Sequence, residues 1–530
     1  MTQQATPQAS PFAANEVDVC IIGSGAAGSV MAAHLAESGK SVLILEGGPE
    51  WELGDLYSSQ IWARRLKWSP NIPVVTSGGD HPIGVNFNQG WGTGGSALHH
   101  YAVWLRLHES DFHTQSEFGA GLDWPITYDD LRPFYDAVQE EVGISGDAEQ
   151  EIWRPEGAPY PMPPVALFAQ GEVLKRGFDA LDIHTAPVPL AVNTQRYKGR
   201  NACLYDGWCD AGCPIGALAN PLVTYLPRAF AAGAVIQHDS RVLRVLTDGN
   251  RATGVEYASS TTGETRTQMA RLVVIAAFTF ETPRILLNSA GGGLANSSGL
   301  VGAYMTTHTT QRALGMFDEV TEPYYGLPGG QLTGQDSYPW NADRGYLGGW
   351  TWQIAGALKP NDLIGVANTR ADLFGQPLVD FIRKGANHLA GLGLIGSNIP
   401  SADSRLTLGA ETDKFGLPVS VLSHAFGEDD LKARDDAVSI AQQVMTAAGA
   451  TEVWTGPPAT QHVMGGVVMG GDPAASVCTS HGQTHDIANL FVAGSSLFPT
   501  SGAVNPTFTI HALTTRSAEW INANWEAIAM

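Results

Sequence analysis

The run VDVCIIGSGAAG, residues 17–28, constrains the fold more than any other part of the chain. An apolar, β-rich segment from Val17 to Ile22 enters a glycine turn. An alanine-rich helical stretch, VMAAHLAESG, follows, and then a second β-rich run, SVLILEGG. Strand, glycine turn, helix and strand make the opening βαβ unit of a dinucleotide-binding fold. Gly23, Gly25 and Gly28 fit G-x-G-x-x-G. The first glycine gives the tight turn, the second lets backbone approach a pyrophosphate, and the third lets helix pack closely on strand. The helix N-terminus then offers unbonded N–H groups to the phosphates. Glu46 ends the second strand about 20 residues on, where a carboxylate accepts hydrogen bonds from ribose hydroxyls. A glycine turn alone can be purely structural. The ordered combination points to a dinucleotide, without separating FAD from NAD.

The remaining 500 or so residues exceed one ordinary core, so two closely connected domains are expected. Residues 222–246 read as helix, glycine turn and strand, residues 252–257 as a strand, and RLVVIAAFTFETPRILLNS as a buried strand running into a helix. Such alternation returns the chain to the first sheet and gives the α/β class. From about 300 to 455 the chain is rich in aromatics, Gly and Pro. It shows helical periodicity only around DDLKARDDAVSIAQQVMTAAGA, which suggests an α+β part with a mixed sheet. The net charge of -22 argues against nucleic acid or an anionic membrane surface as partner. No run of about 18 apolar residues is present, so no membrane insertion is expected. Residues 1–16 carry neither the basic start nor the apolar segment of a secretory signal. They read as a disordered leader, which predicts a cytoplasmic location.

Several segments in order resemble the glucose-methanol-choline (GMC) oxidoreductase family: the βαβ unit, GGSALHH, DWPITYDDLRPFYD, VVIAAFTFETPRILLNS, HVMGGVVMGGDP and NLFVAGSSLFPTSGAVNPTFTI. The resemblance implies FAD and a GMC fold. A discontinuous Rossmann-like FAD-binding domain is expected over 17–120, 200–300 and 456–530, with a mixed-sheet substrate-binding domain over 121–199 and 301–455. It implies cofactor contacts at Gly23, Gly25, Ala26, Ala27, Gly28, Glu46, Gly94, Gly95, Ser96, His99, Val242, Ala277, Gly494, Asn505, Pro506 and Thr507. His99 falls where pyranose oxidases attach FAD covalently. The more similar dehydrogenases carry a histidine there without the bond, so non-covalent FAD is expected. Two positions depart from the family pattern. Phe278 stands where glycine is common, and GGVVMG replaces GT-x-x-MG, both near the expected flavin.

Oxidising an alcohol on a flavin needs a base for the hydroxyl proton and a second polar group to hold that oxygen. His462 is the candidate base, because an imidazole titrates near neutrality. It matches the family's active-site histidine. Asn505 matches the second active-site position, and its amide can hold the oxygen without competing for the proton. Without the resemblance, an Asn before Pro would be read as a turn residue.

Three of the five cysteines, Cys203, Cys209 and Cys213, lie at C-x5-C-x3-C in a glycine-bearing loop. They could converge on one iron-sulfur cluster, and three ligands suit 3Fe-4S. Zinc usually needs four ligands. Ordinary buried thiols remain the bland alternative. The spacing, ending in CPIGA, resembles the catalytic subunits of bacterial glucose, gluconate, sorbitol and fructose dehydrogenases. That likeness implies electron exit to a cytochrome c partner, a small chaperone-like subunit, and a periplasmic location if the two are exported together. The expected reaction is oxidation of a sugar, glycoside or polyol hydroxyl, with His462 as base. An oxidase that makes hydrogen peroxide, resembling pyranose oxidases, and an FAD-containing lyase are the alternatives. Tyr324, Tyr325, Trp340, Trp350 and Trp352 are read either as sugar-stacking or as core aromatics.

Overall fold

The structure, a computed structural model, describes residues 16–67, 74–76 and 89–529. The expected leader therefore lies outside the described residues, except for Glu16. β1 (Val17–Ile22), α1 (Ala26–Glu37) and β2 (Val42–Leu45) form the anticipated unit. β1 and β2 pair in parallel, Val19 against Val42 through Ile22 against Leu45. Apart from Asp18 near the start of β1, both strands are apolar and buried, as expected where both faces are covered.

The first sheet has seven strands. The strand Val235–Gln237 flanks β2, and the strand Thr265–Ile275 flanks β1, both in parallel. Thr265–Ile275 serves two purposes along its length. Residues 265–269 pair antiparallel with Arg251–Ser259, while residues 270–275 lie parallel to β1. The late strand Leu490–Val492 adds in parallel on the other side, Leu490 opposite Val273. The chain thus returns at its end to complete the sheet it began with. The late helix Thr507–Ala523 packs on α1.

The second sheet has eight strands and is mainly antiparallel, including Trp350–Ile354, Leu389–Gly396 and Thr306–Thr310. The helix Glu428–Ala447 covers it, and its Ala437, Ala441 and Val444 share a core with Phe178, Trp350 and Trp352. The strand Ala459–Met464 pairs with Thr306–Thr310 and so belongs to this second sheet. That strand begins just past the boundary expected at 455/456. Hydrophobic pattern could not place it, because the strand is short and polar at its start. No described helix is long and apolar enough to cross a membrane.

Candidate active site

One cavity lies between the two sheets and gathers most of the expected residues. Gly23, Gly25, Ala26, Ala27, Glu46, Gly95, Ser96, His99, Val242, Ala277, His462, Gly494, Asn505, Pro506 and Thr507 all line it. Gly28 and Gly94 stand behind the wall. A Cβ on Gly28 would sit 2.0 Å from the Gly23 carbonyl oxygen, so this glycine permits the approach of α1 to the turn. Gly94 donates its N–H to Ser24 Oγ at 3.1 Å.

The cradle is mostly backbone. Gly23 has φ +97°, and a Cβ there would lie 2.6 Å from the Ala276 carbonyl oxygen. Both facts call for glycine. Gly25 has ordinary φ and open space around it, with its nearest neighbour 3.9 Å from a built Cβ. What it keeps clear is the cavity itself. The first turn of α1 carries no acid, so its N-terminus presents N–H groups and positive dipole to an anion. The buried Glu46 carboxylate accepts from Ser24 N–H (3.0 Å) and Oγ–H (2.7 Å), and from the N–H groups of Gly48 (3.0 Å) and Gly92 (3.2 Å). Glu46 thus ties the glycine turn to the Trp91 loop, a role the sequence did not suggest. These features fit a bound dinucleotide: a cradle that added Cβ atoms would fill, with a helix N-terminus aimed into it.

Phe278, one of the departures from the family pattern, lines the same cavity with φ +69°. A bulky residue in that region is strained. In the other departure, Gly465 and Gly466 have φ +78° and +92°, and a Cβ on Gly465 would lie 2.0 Å from the Tyr304 carbonyl oxygen. The second glycine fits a backbone that a threonine would strain.

His462 is held by a device the sequence does not announce. Along the strand pair, Gln461 faces His308 and Val463 faces Thr307, so His462 is the extra residue of a β-bulge. Its φ is +60°. Bulges re-aim side chains beside active sites. His462 Nε2 lies 3.2 Å from Asn505 Nδ2, and its Nδ1 lies 2.9 Å from Nδ1 of His308, on the adjacent strand. Burial, and next the neighbouring His308, push His462 well below its ordinary value, so the ring is neutral and can accept a proton. Asn505 Oδ1 is buried and has no hydrogen-bond partner among the described residues. The sequence pointed to His462 and Asn505. His308, in the uniform run TTHTT, gave no signal, nor did the cavity residues Gln353, Thr460 and Gln461.

Of the five singled-out aromatics, Trp350 and Trp352 are core residues, and none of the five lines the cavity. Trp91, Tyr101 and Phe278 line it instead.

The loop with the three cysteines packs against the helix Gln60–Lys67. Tyr205 N–H donates to Cys203 Sγ (3.3 Å), and Leu218 N–H to Cys213 Sγ (3.4 Å). Burial pushes the Cys203 thiol up to about 11 and the Cys209 thiol further, and the three sulfurs lie close enough to raise one another. Among the described residues, no group of three or more His, Cys, Asp or Glu is arranged to hold a metal ion.

Two family models described as GMC oxidoreductase match residues 17–310 and 400–514. A 2-methyl-1,2-propanediol dehydrogenase of Mycolicibacterium austroafricanum is 31% identical, with 97% of each chain covered. A fructose dehydrogenase large subunit of Gluconobacter japonicus is 30% identical, covering 95% of this chain and 97% of that one. A crystal structure of pyridoxine 4-oxidase from Mesorbium loti superposes with TM-score 0.68 at 18% identity, over 96% of this chain and 99% of that one.

Proposed function

The chain belongs to the GMC oxidoreductase family, an FAD-dependent family acting on alcohol groups, and from that premise we propose that it oxidises a hydroxyl of a neutral sugar, glycoside or polyol to a carbonyl. The single observation that carries this reading is the neutral His462 imidazole beside Asn505, in the same cavity as the glycine cradle. When bound, FAD supplies the hydride-accepting chemistry. The protein's own residues do the rest. The Gly23 turn and the α1 N-terminus hold the pyrophosphate. The substrate hydroxyl replaces the Asn505 amide on the His462 Nε2 lone pair, which takes its proton, and the displaced Asn505 N–H holds the oxygen. An alkoxide never has to form free, because proton acceptor and carbon-bound hydrogen are addressed together in one cavity away from water.

Neutrality of the substrate rests on the lining. The second sheet contributes Gln353, Thr460 and Gln461, all uncharged. The charged residues among the described lining are Glu46, Arg241 and Glu281, which come from the cofactor side. A carboxylate or ammonium substrate would enter without a counter-charge, which is unfavourable in a cavity of low dielectric. The relatives at 30–31% identity are named for a diol and for fructose, both uncharged.

Dehydrogenase rather than oxidase action is the reading favoured by the names of those two relatives. A 3Fe-4S cluster on Cys203, Cys209 and Cys213 would supply one-electron transfer to a cytochrome-bearing partner subunit, but this reading rests on the C-x5-C-x3-C spacing alone, since among the described residues these cysteines are not arranged to hold a metal. The proton transfer at His462 does not depend on it.

The test is anaerobic addition of fructose, 2-methyl-1,2-propanediol, a sugar acid and an amino sugar to the purified holoenzyme. The flavin band bleaches with a neutral member of the panel and stays intact with the charged ones. Bleaching by the sugar acid alone would overturn the substrate class. Dye reduction with little oxygen uptake marks the dehydrogenase, and stoichiometric peroxide marks an oxidase. Iron at three per chain with an electron spin resonance signal supports the cluster, and its absence removes it.

A further inference from the structure

Four groups form a hydrogen-bonded line through the wall of the cavity: Asn505, His462, His308 and the Ser501 carbonyl. His308 Nε2 lies 3.2 Å from the Ser501 carbonyl oxygen. A carbonyl can only accept, so Nε2 of His308 carries the hydrogen. His308 is fully buried, and burial holds it down to about 4, so the ring is neutral and its Nδ1 has a lone pair. His462 Nδ1 lies 2.9 Å from that lone pair and must therefore carry its own ring's hydrogen. The remaining nitrogen of His462, Nε2, is left bare, and the Asn505 amide donates to it at 3.2 Å. Each assignment forces the next, and the first is forced by a backbone oxygen that cannot titrate.

We propose that His308 is a positioning residue that fixes the tautomer of His462, so that the base nitrogen always faces Asn505 and the substrate. A free imidazole populates both tautomers, and only one of them serves here as base. The arrangement also supports the charge that forms in the reaction. When the hydroxyl proton reaches His462 Nε2, the imidazolium keeps its Nδ1–H on the His308 lone pair, and that neutral-to-neutral hydrogen bond becomes a charge-assisted one. No bond is made or broken at His308, and no proton leaves the pair in this step. The influences on His462 are its burial and His308. Those on His308 are its burial and the backbone of Ser501 and Gly502. Two further titratable groups, His424 and Asp430, are joined to the line through Asn398, which bonds both of them and whose N–H donates to Ser501 Oγ, and His99 and His100 line the same cavity.

The β-bulge gives the proposal a second footing. His462 has φ +60° and lies one residue out of register with the strand that carries His308. In regular pairing, residues facing one another on adjacent strands point to the same side of the sheet, and a neighbour in sequence points away. The bulge turns His462 back to the side of His308, so that the two Nδ1 atoms meet. Strained backbone of this kind persists where surrounding contacts hold it.

The inference rests on the reading of His462 as base, but its test does not depend on turnover. The FAD-loaded protein is labelled with 15N-histidine, and the His462 resonances are assigned from their loss in His462→Gln. In the wild type, Nδ1 of His462 is expected to be of the protonated, pyrrole-like type and Nε2 of the bare, pyridine-like type. The reverse assignment would overturn the proposal, whatever substrate the enzyme uses. In His308→Asn, the amide oxygen can still accept from His462 Nδ1, and the pattern is expected to persist with flavin reduction within about 10-fold of wild type. In His308→Leu the acceptor is gone. A mixture of tautomers is expected, with flavin reduction slower by about 100-fold, less than the ~10,000-fold loss that follows a fully wrong tautomer because part of the population keeps the right one. Unchanged His462 resonances in His308→Leu would contradict the lock. If His308→Leu does not fold, the wild-type and His308→Asn spectra decide.

Discussion

The glycine cradle and the base site lie in one cavity, yet they are built on opposite plans. The cradle is consecutive in sequence and works through backbone. Its side chains are mostly absent, and what matters is the space they leave. The base site is assembled from hydrogen-bonded neighbours 43 and 154 positions apart, on a bulged strand, its partner strand and a loop. It works through side-chain nitrogens whose hydrogen placement is fixed by neighbours. The comparison teaches that binding an invariant cofactor can be written locally, while setting a proton acceptor requires the tertiary fold.

The largest effects should come from filling the cradle. Gly28→Ala puts a carbon 2.0 Å from the Gly23 carbonyl, which α1 cannot relieve without leaving the turn. The purified variant is expected to lack the flavin absorbance band and to lose about 1–3 kcal/mol of stability, as forced overpacking does. Gly25→Ala sharpens the contrast. It has 3.9 Å of clearance, so the fold should melt near the wild-type temperature while flavin retention falls. Equal flavin content in Gly25→Ala and wild type would remove the close approach assigned to this glycine.

At the base site the losses should be chemical rather than structural. Asn505→Ala is expected to retain FAD and to slow flavin reduction by about 100-fold, the scale for losing one donor at the reacting oxygen. A change confined to KM would show that Asn505 only binds. Asn505 lies just before the helix Thr507–Ala523, so a matching melting curve is the required control.

Legibility follows the same division. β1, α1 and β2 were readable because strand, turn and helix each leave their own local pattern, and the clearance at Gly28 explains why the third glycine is required. His462 and Asn505 were readable through resemblance, and the residues alone gave them no distinction. His308 was invisible, since a histidine within TTHTT has the same alternation as its neighbours, and only the bulge brings it to His462. Glu46 shows the opposite case: its position was plain, but its four protein donors depend on the Gly48 and Gly92 backbones, which the sequence could not bring together. The sheet that the strand Ala459–Met464 joins was likewise not readable, because a short strand's sheet is chosen by its partner.

The smallest effect expected is on stability against pH, and it bears on the side-chain plan alone. Burial holds His100, His108, His308, His424, His481 and His511 down to about 4. From about pH 6.5 down to 4 the unfolded chain takes up protons on these rings and the folded one does not, so acid removes stability. Asp111 and Glu151, raised to about 7, and Asp430, raised to about 6, act in the opposite sense over part of the same window. The histidines outnumber the carboxyls, so the melting temperature should fall between pH 6.5 and 4.5. A rise on acidification would mean that the buried carboxyls dominate.

The central claim is that a neutral His462 accepts the proton of a substrate hydroxyl. Its most direct test is the rate of flavin bleaching after anaerobic rapid mixing of the holoenzyme with a neutral polyol, in wild type and in His462→Ala. The account predicts bleaching at a rate nearly constant from pH 8 to 6, because His462 lies well below its ordinary value, and a slowing of about 1,000-fold in the variant with FAD retained. Bleaching as fast in His462→Ala as in wild type would contradict it.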